Sequence, residues 1–183
     1  MHFGKILLAS AVVVAVLVTC GAVGAYYFLR RRSYEWHEIT SSDNKFRVSF
    51  PSKASLLETN EKSTDGRPFV SHTLKSSPAD RVVYSVNWWE NPTQKNLTAQ
   101  DLFAMVRQTD VNVFHARVSN EKDLKIQGCP AKLIFVMAGN GVTVENLAVR
   151  AGDRVYSLWV VESEAMREKE NIQKFFGSFK LQN

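Results

Sequence analysis

Between Leu124 and Val161 the chain falls into four short apolar stretches. They run from Leu124 to Ile126, Ala131 to Ala138, Val142 to Val149 and Arg154 to Val161, cut by Gly128, Gly139-Asn140-Gly141 and Ala151-Gly152-Asp153. Closely spaced strands joined by tight glycine turns predict an antiparallel meander. Upstream, Phe46-Arg47-Val48-Ser49-Phe50 alternates apolar and polar residues until Pro51 stops it, and Phe69 to Lys75 reads as another strand. In the next strand Val82, Tyr84, Val86 and Trp88 share one face, and Asn91-Pro92 marks the turn that follows.

Two helices interrupt these strands. Thr98, with Asp101 three residues on, forms a capping box ahead of the apolar face Ala99, Leu102, Phe103 and Val106, and the helix is expected to end near Asp110. From about Glu164 a second helix places Ile172, Phe175, Phe176 and Phe179 in one stripe, suited to close over a sheet as core. Adjacent strand residues point to opposite sides, so Trp89 lies with Val83, Ser85 and Asn87 on the face opposite Trp88. There Trp89 either packs beneath a helix or loop or supplies a partner-binding contact of the kind that large amphipathic rings make.

Ahead of this domain lies an uncharged apolar run, Ile6 to Leu29, closed by Arg30, Arg31 and Arg32. As a helix it would reach about 36 Å, enough for the hydrocarbon core of a bilayer. Tyr26 and Tyr27 beside the three arginines suit a membrane interface, so the expectation is an uncleaved N-terminal transmembrane helix and single-pass membrane localisation. A cleaved signal peptide ending at Val23-Gly24-Ala25 competes with that reading. So does a lipoprotein signal at Cys20, although Thr19 is bulky for the position before a lipidated cysteine. Lysine and arginine counts on the two flanks lean toward a cytoplasmic domain, with the side left open.

The same flank explains the charge. The chain has 23 Lys+Arg against 18 Asp+Glu, and without Lys5 and the three arginines 19 cations remain, close to balance. After Arg32 no basic run occurs, so a nucleic-acid partner is not expected. Of two cysteines, Cys20 and Cys129, only the second lies in the domain, where a small buried hydrophobe is the expected role.

Trp36, followed by Ser41 to Pro51 with the pattern S-S-D-N-K-F-R-V-S-F-P, resembles the opening of the PsbP-like family. Gly128-Cys129-Pro130-Ala131, Gly152-Asp153-Arg154-Val155-Tyr156-Ser157-Leu158 and Phe175-Phe176-Gly177-Ser178-Phe179-Lys180-Leu181 are similar to its later motifs. The resemblance implies an α/β/α sandwich, a fold the family shares with the Ran-binding protein Mog, and members that act mostly as binding or assembly modules. It carries no catalytic residues, and the metal positions of the plant members have no assignable match, so neither cofactor nor metal is expected.

The expected fold class is therefore α+β: an N-terminal transmembrane helix followed by one α/β/α sandwich with a mainly antiparallel sheet. The expected division is an anchor over 1–32, a linker leading into the domain over 33–45 with Trp36 as its anchor point, and a PsbP-like domain over 46–183. The expected function is a membrane-anchored, non-catalytic binding or assembly module, with the bilayer and a protein as partners. The alternative is an enzyme of hydrolase type with residues gathered from distant positions, for example His72, His115 and Asp110. No metal-ligand spacing, nucleophile elbow or phosphate loop supports it.

Overall fold

A computed structural model describes residues 34–182, apart from Thr64, Asp80 and Arg81. Residues 35–183 form one compact unit. Its main sheet has the strands β3 (Ser55–Lys62), β4 (Pro68–Ala79), β5 (Val82–Trp89), β6 (Ala116–Ile126), β7 (Cys129–Ala138), β8 (Val142–Ala151) and β9 (Arg154–Ser163). Their order across the sheet is β3-β4-β5-β9-β8-β7-β6, and every neighbouring pair is antiparallel. The meander from β6 to β9 is the one predicted from the glycine turns. At its Gly139–Gly141 turn the Gly141 amide donates to the Ala138 carbonyl, and a φ of 76° at Gly141 suits a residue without Cβ.

One face of this sheet is covered by a second, three-stranded sheet, β1 (His37–Thr40), β2 (Phe46–Phe50) and β10 (Lys180–Leu181), together with helix α2 (Lys169–Ser178). The apolar positions that alternate along β2, Phe46, Val48 and Phe50, meet Tyr84, Val86, Trp88, Tyr156 and Leu158 of the main sheet in one core. Ile172, Phe175 and Phe179 close it, while Phe176, expected in the same stripe, is only half-buried. Trp36 packs at the edge of this core with the Lys174 ammonium 4.4 Å from its ring, and β1 lies within the stretch expected as linker.

Helix α1 (Ala99–Phe114) covers the other face. Leu102, Phe103 and Val106 bury against Ile134, Val136, Val144, Ala148 and Val155, a second core built from the opposite side chains of the same strands. The capping box forms as predicted: Asp101 N–H donates to Thr98 Oγ1 at 3.2 Å, and Thr98 N–H to Asp101 Oδ2 at 3.1 Å. Replacing Thr98 by Ala is expected to cost about 1 kcal/mol, read as a lower urea midpoint with unchanged slope. The helix runs a full turn beyond Asp110 and ends at His115, which holds a left-handed φ of 46°.

Among the described residues no helix is long and apolar enough to cross a membrane. At 16 residues α1 spans about 24 Å, short of a bilayer core, and its exposed side is mostly polar, with Met105 and Val113 the large apolar exceptions. The expected fold class with its N-terminal transmembrane helix, and the expected single-pass membrane localisation, are corrected accordingly: the described fold is a mostly antiparallel sheet with two α-helices, neither of them able to span a membrane. The run that suggested them, with Tyr26, Tyr27, Arg30, Arg31 and Arg32, lies outside the described residues. The sandwich is corrected in its second outer layer, which is a three-stranded sheet plus α2 and not helix alone, because Phe46 to Phe50 pairs with the first and last strands of the domain and not with the main sheet.

Candidate functional site

Helix α1 packs on β6, β7 and β8 and stops short of the other half of the sheet. On that side β5 presents Val83, Ser85, Asn87 and Trp89, the alternation read from the sequence, and β4 presents the residues that pair beside them. Thr73 lies opposite Asn87 and Ser71 opposite Trp89. Between this open half and the flank of α1 lies a cleft of about 450 Å³. Its apolar surface comes from Trp89, Trp159, Leu102, Met105, Val106 and Phe69.

Trp89 is half-buried, and its indole Nε1 donates to Gln94 Oε1 at 2.9 Å. Gln94 ends the short 3-10 turn Pro92–Gln94, which Asn91 caps by accepting the Thr93 amide at 3.0 Å. The Asn91-Pro92 turn therefore fixes the indole that precedes it. Trp159 crosses Phe114 of α1 edge to face at 5.6 Å, and its own Nε1 is buried with no acceptor among the described residues.

At the inner end of the cleft sits Asp110, fully buried on α1. Asn146 Nδ2 donates to both its oxygens, at 2.8 and 3.1 Å, and Ser157 Oγ donates to Asn146 Oδ1 at 2.9 Å. The floor continues toward the sheet edge as Thr73 Oγ1 donates to Asn87 Oδ1 at 2.6 Å. Burial pushes the Asp110 carboxyl up to about 7, and the Asn146 amide offsets only part of that rise. Ser71 at the outer end donates to Glu61 of β3.

The residues suggested for an enzyme are not brought together. His72 lies on the opposite face of the sheet, stacked on Trp88 at 4.9 Å and paired with Glu58 at 3.1 Å. His115 is exposed at the end of α1, and Asp110 bonds to an asparagine, which cannot relay a proton as an imidazole does. Cys129 is half-buried against the core. The described residues contain no group of three or more His, Cys, Asp or Glu that could hold a metal. Sequence reasoning found Trp89 by alternation but missed Asn146, Ser157 and Trp159. A polar residue in the middle of the apolar run from Val142 to Val149 was the available signal for Asn146.

A second buried polar group occupies the face shared with α2. Glu145 accepts from Arg167, while Glu162, almost fully buried, receives only a long bond from the Glu168 amide at 3.4 Å. Burial lifts its carboxyl to about 7 as well, with Glu145 adding to the rise.

An antiparallel sheet covered by one helix on one face and by a small sheet and helix on the other defines the class of this domain. The chain is similar to the solution structure of cyanobacterial PsbP, CyanoP, from Synechocystis sp. PCC 6803. The match covers 84% of this chain and 95% of that one, with 13% sequence identity and a TM-score of 0.57. The fold is therefore PsbP-like. A protein of unknown function from Pseudomonas aeruginosa matches over 72% of this chain and 85% of that one, at 11% identity and a TM-score of 0.36. A crystal structure from Bacteroides thetaiotaomicron VPI-5482 matches over 80% and 48%, at 9% identity and a TM-score of 0.45. No protein-family model and no curated protein matches the sequence.

Proposed function

We propose that the chain is a non-catalytic binding module that takes its ligand in the cleft between α1 and the uncovered half of the main sheet. The observation that carries this reading is the position of Trp89. Its ring stands on the face that α1 leaves open, it is held by Gln94, and it lines a cleft with a polar hydrogen-bonded floor. A concave, mostly apolar site with a few convergent polar groups is the form that ligand pockets take. The resemblance of the sequence to a family of binding and assembly modules points the same way, and fold alone would not assign a function.

Trp89→Ala separates a binding role from a packing role. The ring is half-buried and its N–H bond is a single neutral one, so the variant is expected to lose about 1 to 2 kcal/mol of stability. A fragment screen read by the indole N–H signals of the full chain should find compounds that shift Trp89 and Trp159, and their binding should weaken at least tenfold in the variant. A stability loss of several kcal/mol with unaltered fragment binding would make Trp89 a packing residue.

A further inference from the structure

Resting on the cleft reading above, we infer that the ligand is a small organic cation, an ammonium carried on a flat apolar body. The cleft holds the two parts such a ligand needs. Trp89 and Trp159 line it with indole rings, whose faces attract a cation placed within about 6 Å. Asp110 and Glu61 bring carboxylates, the first at the inner end with no surface open to solvent and the second exposed at the outer end, and Lys62 is the only cation among the described residues that line the cleft.

Asp110 is the more telling of the two. A buried carboxylate is normally paired with a cation, because amide donors alone do not replace the water it has lost. Among the described residues Asp110 has only the Asn146 amide as partner, and no cation acts on its titration. An anionic ligand would add a second negative charge to that end of the cleft. A neutral ligand would leave the carboxylate as it is, whereas an ammonium supplies the missing counter-charge in a region of low dielectric, where a charge pair is worth most. The apolar walls then receive the ligand's ring.

The test uses three probes of one shape at pH 8, where the Asp110 carboxyl is ionised: 2-phenylethylamine, 2-phenylethanol and phenylacetate. Binding to the full chain is followed by tryptophan fluorescence. The amine should bind at least tenfold tighter than the alcohol, and phenylacetate should bind more weakly than either. Asp110→Asn should remove the preference for the amine, so that amine and alcohol bind alike, and Trp89→Ala should weaken both. If amine and alcohol bind alike in the parent and both lose affinity in Trp89→Ala, the cation is rejected and the cleft reading survives. Retention of the amine preference in Asp110→Asn, or tightest binding of phenylacetate, also overturns the inference. If no probe perturbs the fluorescence at millimolar concentration, both the inference and the cleft reading fail.

Discussion

Phe175→Ala is expected to destabilise the protein by about 3 to 5 kcal/mol, the range for removing a fully buried aromatic ring. Phe175 is completely shielded from solvent. It meets Phe50 of β2 and Tyr84 of β5 at centroid distances of 5.3 Å each, and Phe176 at 5.6 Å. The ring thus touches the small sheet and the main sheet at once, and the void left by alanine has rigid neighbours on both sides. Thermal melting should fall by on the order of 10 °C for a domain of this size. Phe176→Ala should cost clearly less, since that ring is only partly buried. Melting of Phe175→Ala at the parent temperature would mean that α2 is not docked on β2.

Raising the pH from about 4 to 7 should destabilise the fold, and Asp110→Asn should remove much of that dependence. In the unfolded chain the carboxyl ionises near its ordinary value of 3.8, whereas burial in the folded protein holds the proton until about 7. Below 3.8 both states are protonated and the group has no effect. Between 3.8 and 7 the folded state binds more protons than the unfolded one, so stability declines as pH rises, and above 7 the decline is complete. At about 1.4 kcal/mol per pH unit, the rise from 3.8 to about 7 gives a full loss of roughly 4 kcal/mol. Urea unfolding should therefore find Asp110→Asn more stable than the parent at pH 8 by that amount and nearly equal to it at pH 4. Glu162 contributes a slope of the same sign, which the variant keeps. An equal difference at both pH values would show that Asp110 is not the titrating group. The charged carboxylate is a cost that packing alone does not require, and such costs concentrate at functional sites.

How much of this was legible in the sequence differs by element for physical reasons. β2, β5 and the meander of β7, β8 and β9 bury one or both faces, so their side chains alternate or run apolar, and α1 carried its own capping box. β3 was invisible because all eight of its residues are exposed: Leu56 and Leu57 stand side by side, and the remainder is polar. The first half of β6 failed for the same reason, since its position at the opposite edge of the sheet favours the charged run around Asn120-Glu121-Lys122. The end of α1 was set too early at Asp110, because an acid on the apolar face reads as an end until its partner is known. That partner, Asn146, lies 36 residues away on β8, and no local pattern joins the two. Trp89 was legible by parity alone, but the cleft beside it depends on where α1 stops, which is a property of packing.

The exposure of β3 also bears on how anything reaches the cleft. This strand carries Thr59 and Glu61 of the cleft wall, yet it buries no side chain and is held to β4 alone, by the backbone ladder and by surface side-chain bonds such as Glu58 to His72 and Glu61 to Ser71. Elements with little buried apolar surface open locally at far lower free energy than the global unfolding of a domain. Access from the sheet edge can therefore proceed by transient peeling of β3, leaving α1 and the core beneath it undisturbed. The inner wall of the site thus belongs to the buried part of the fold, and the outer wall to its least buried strand.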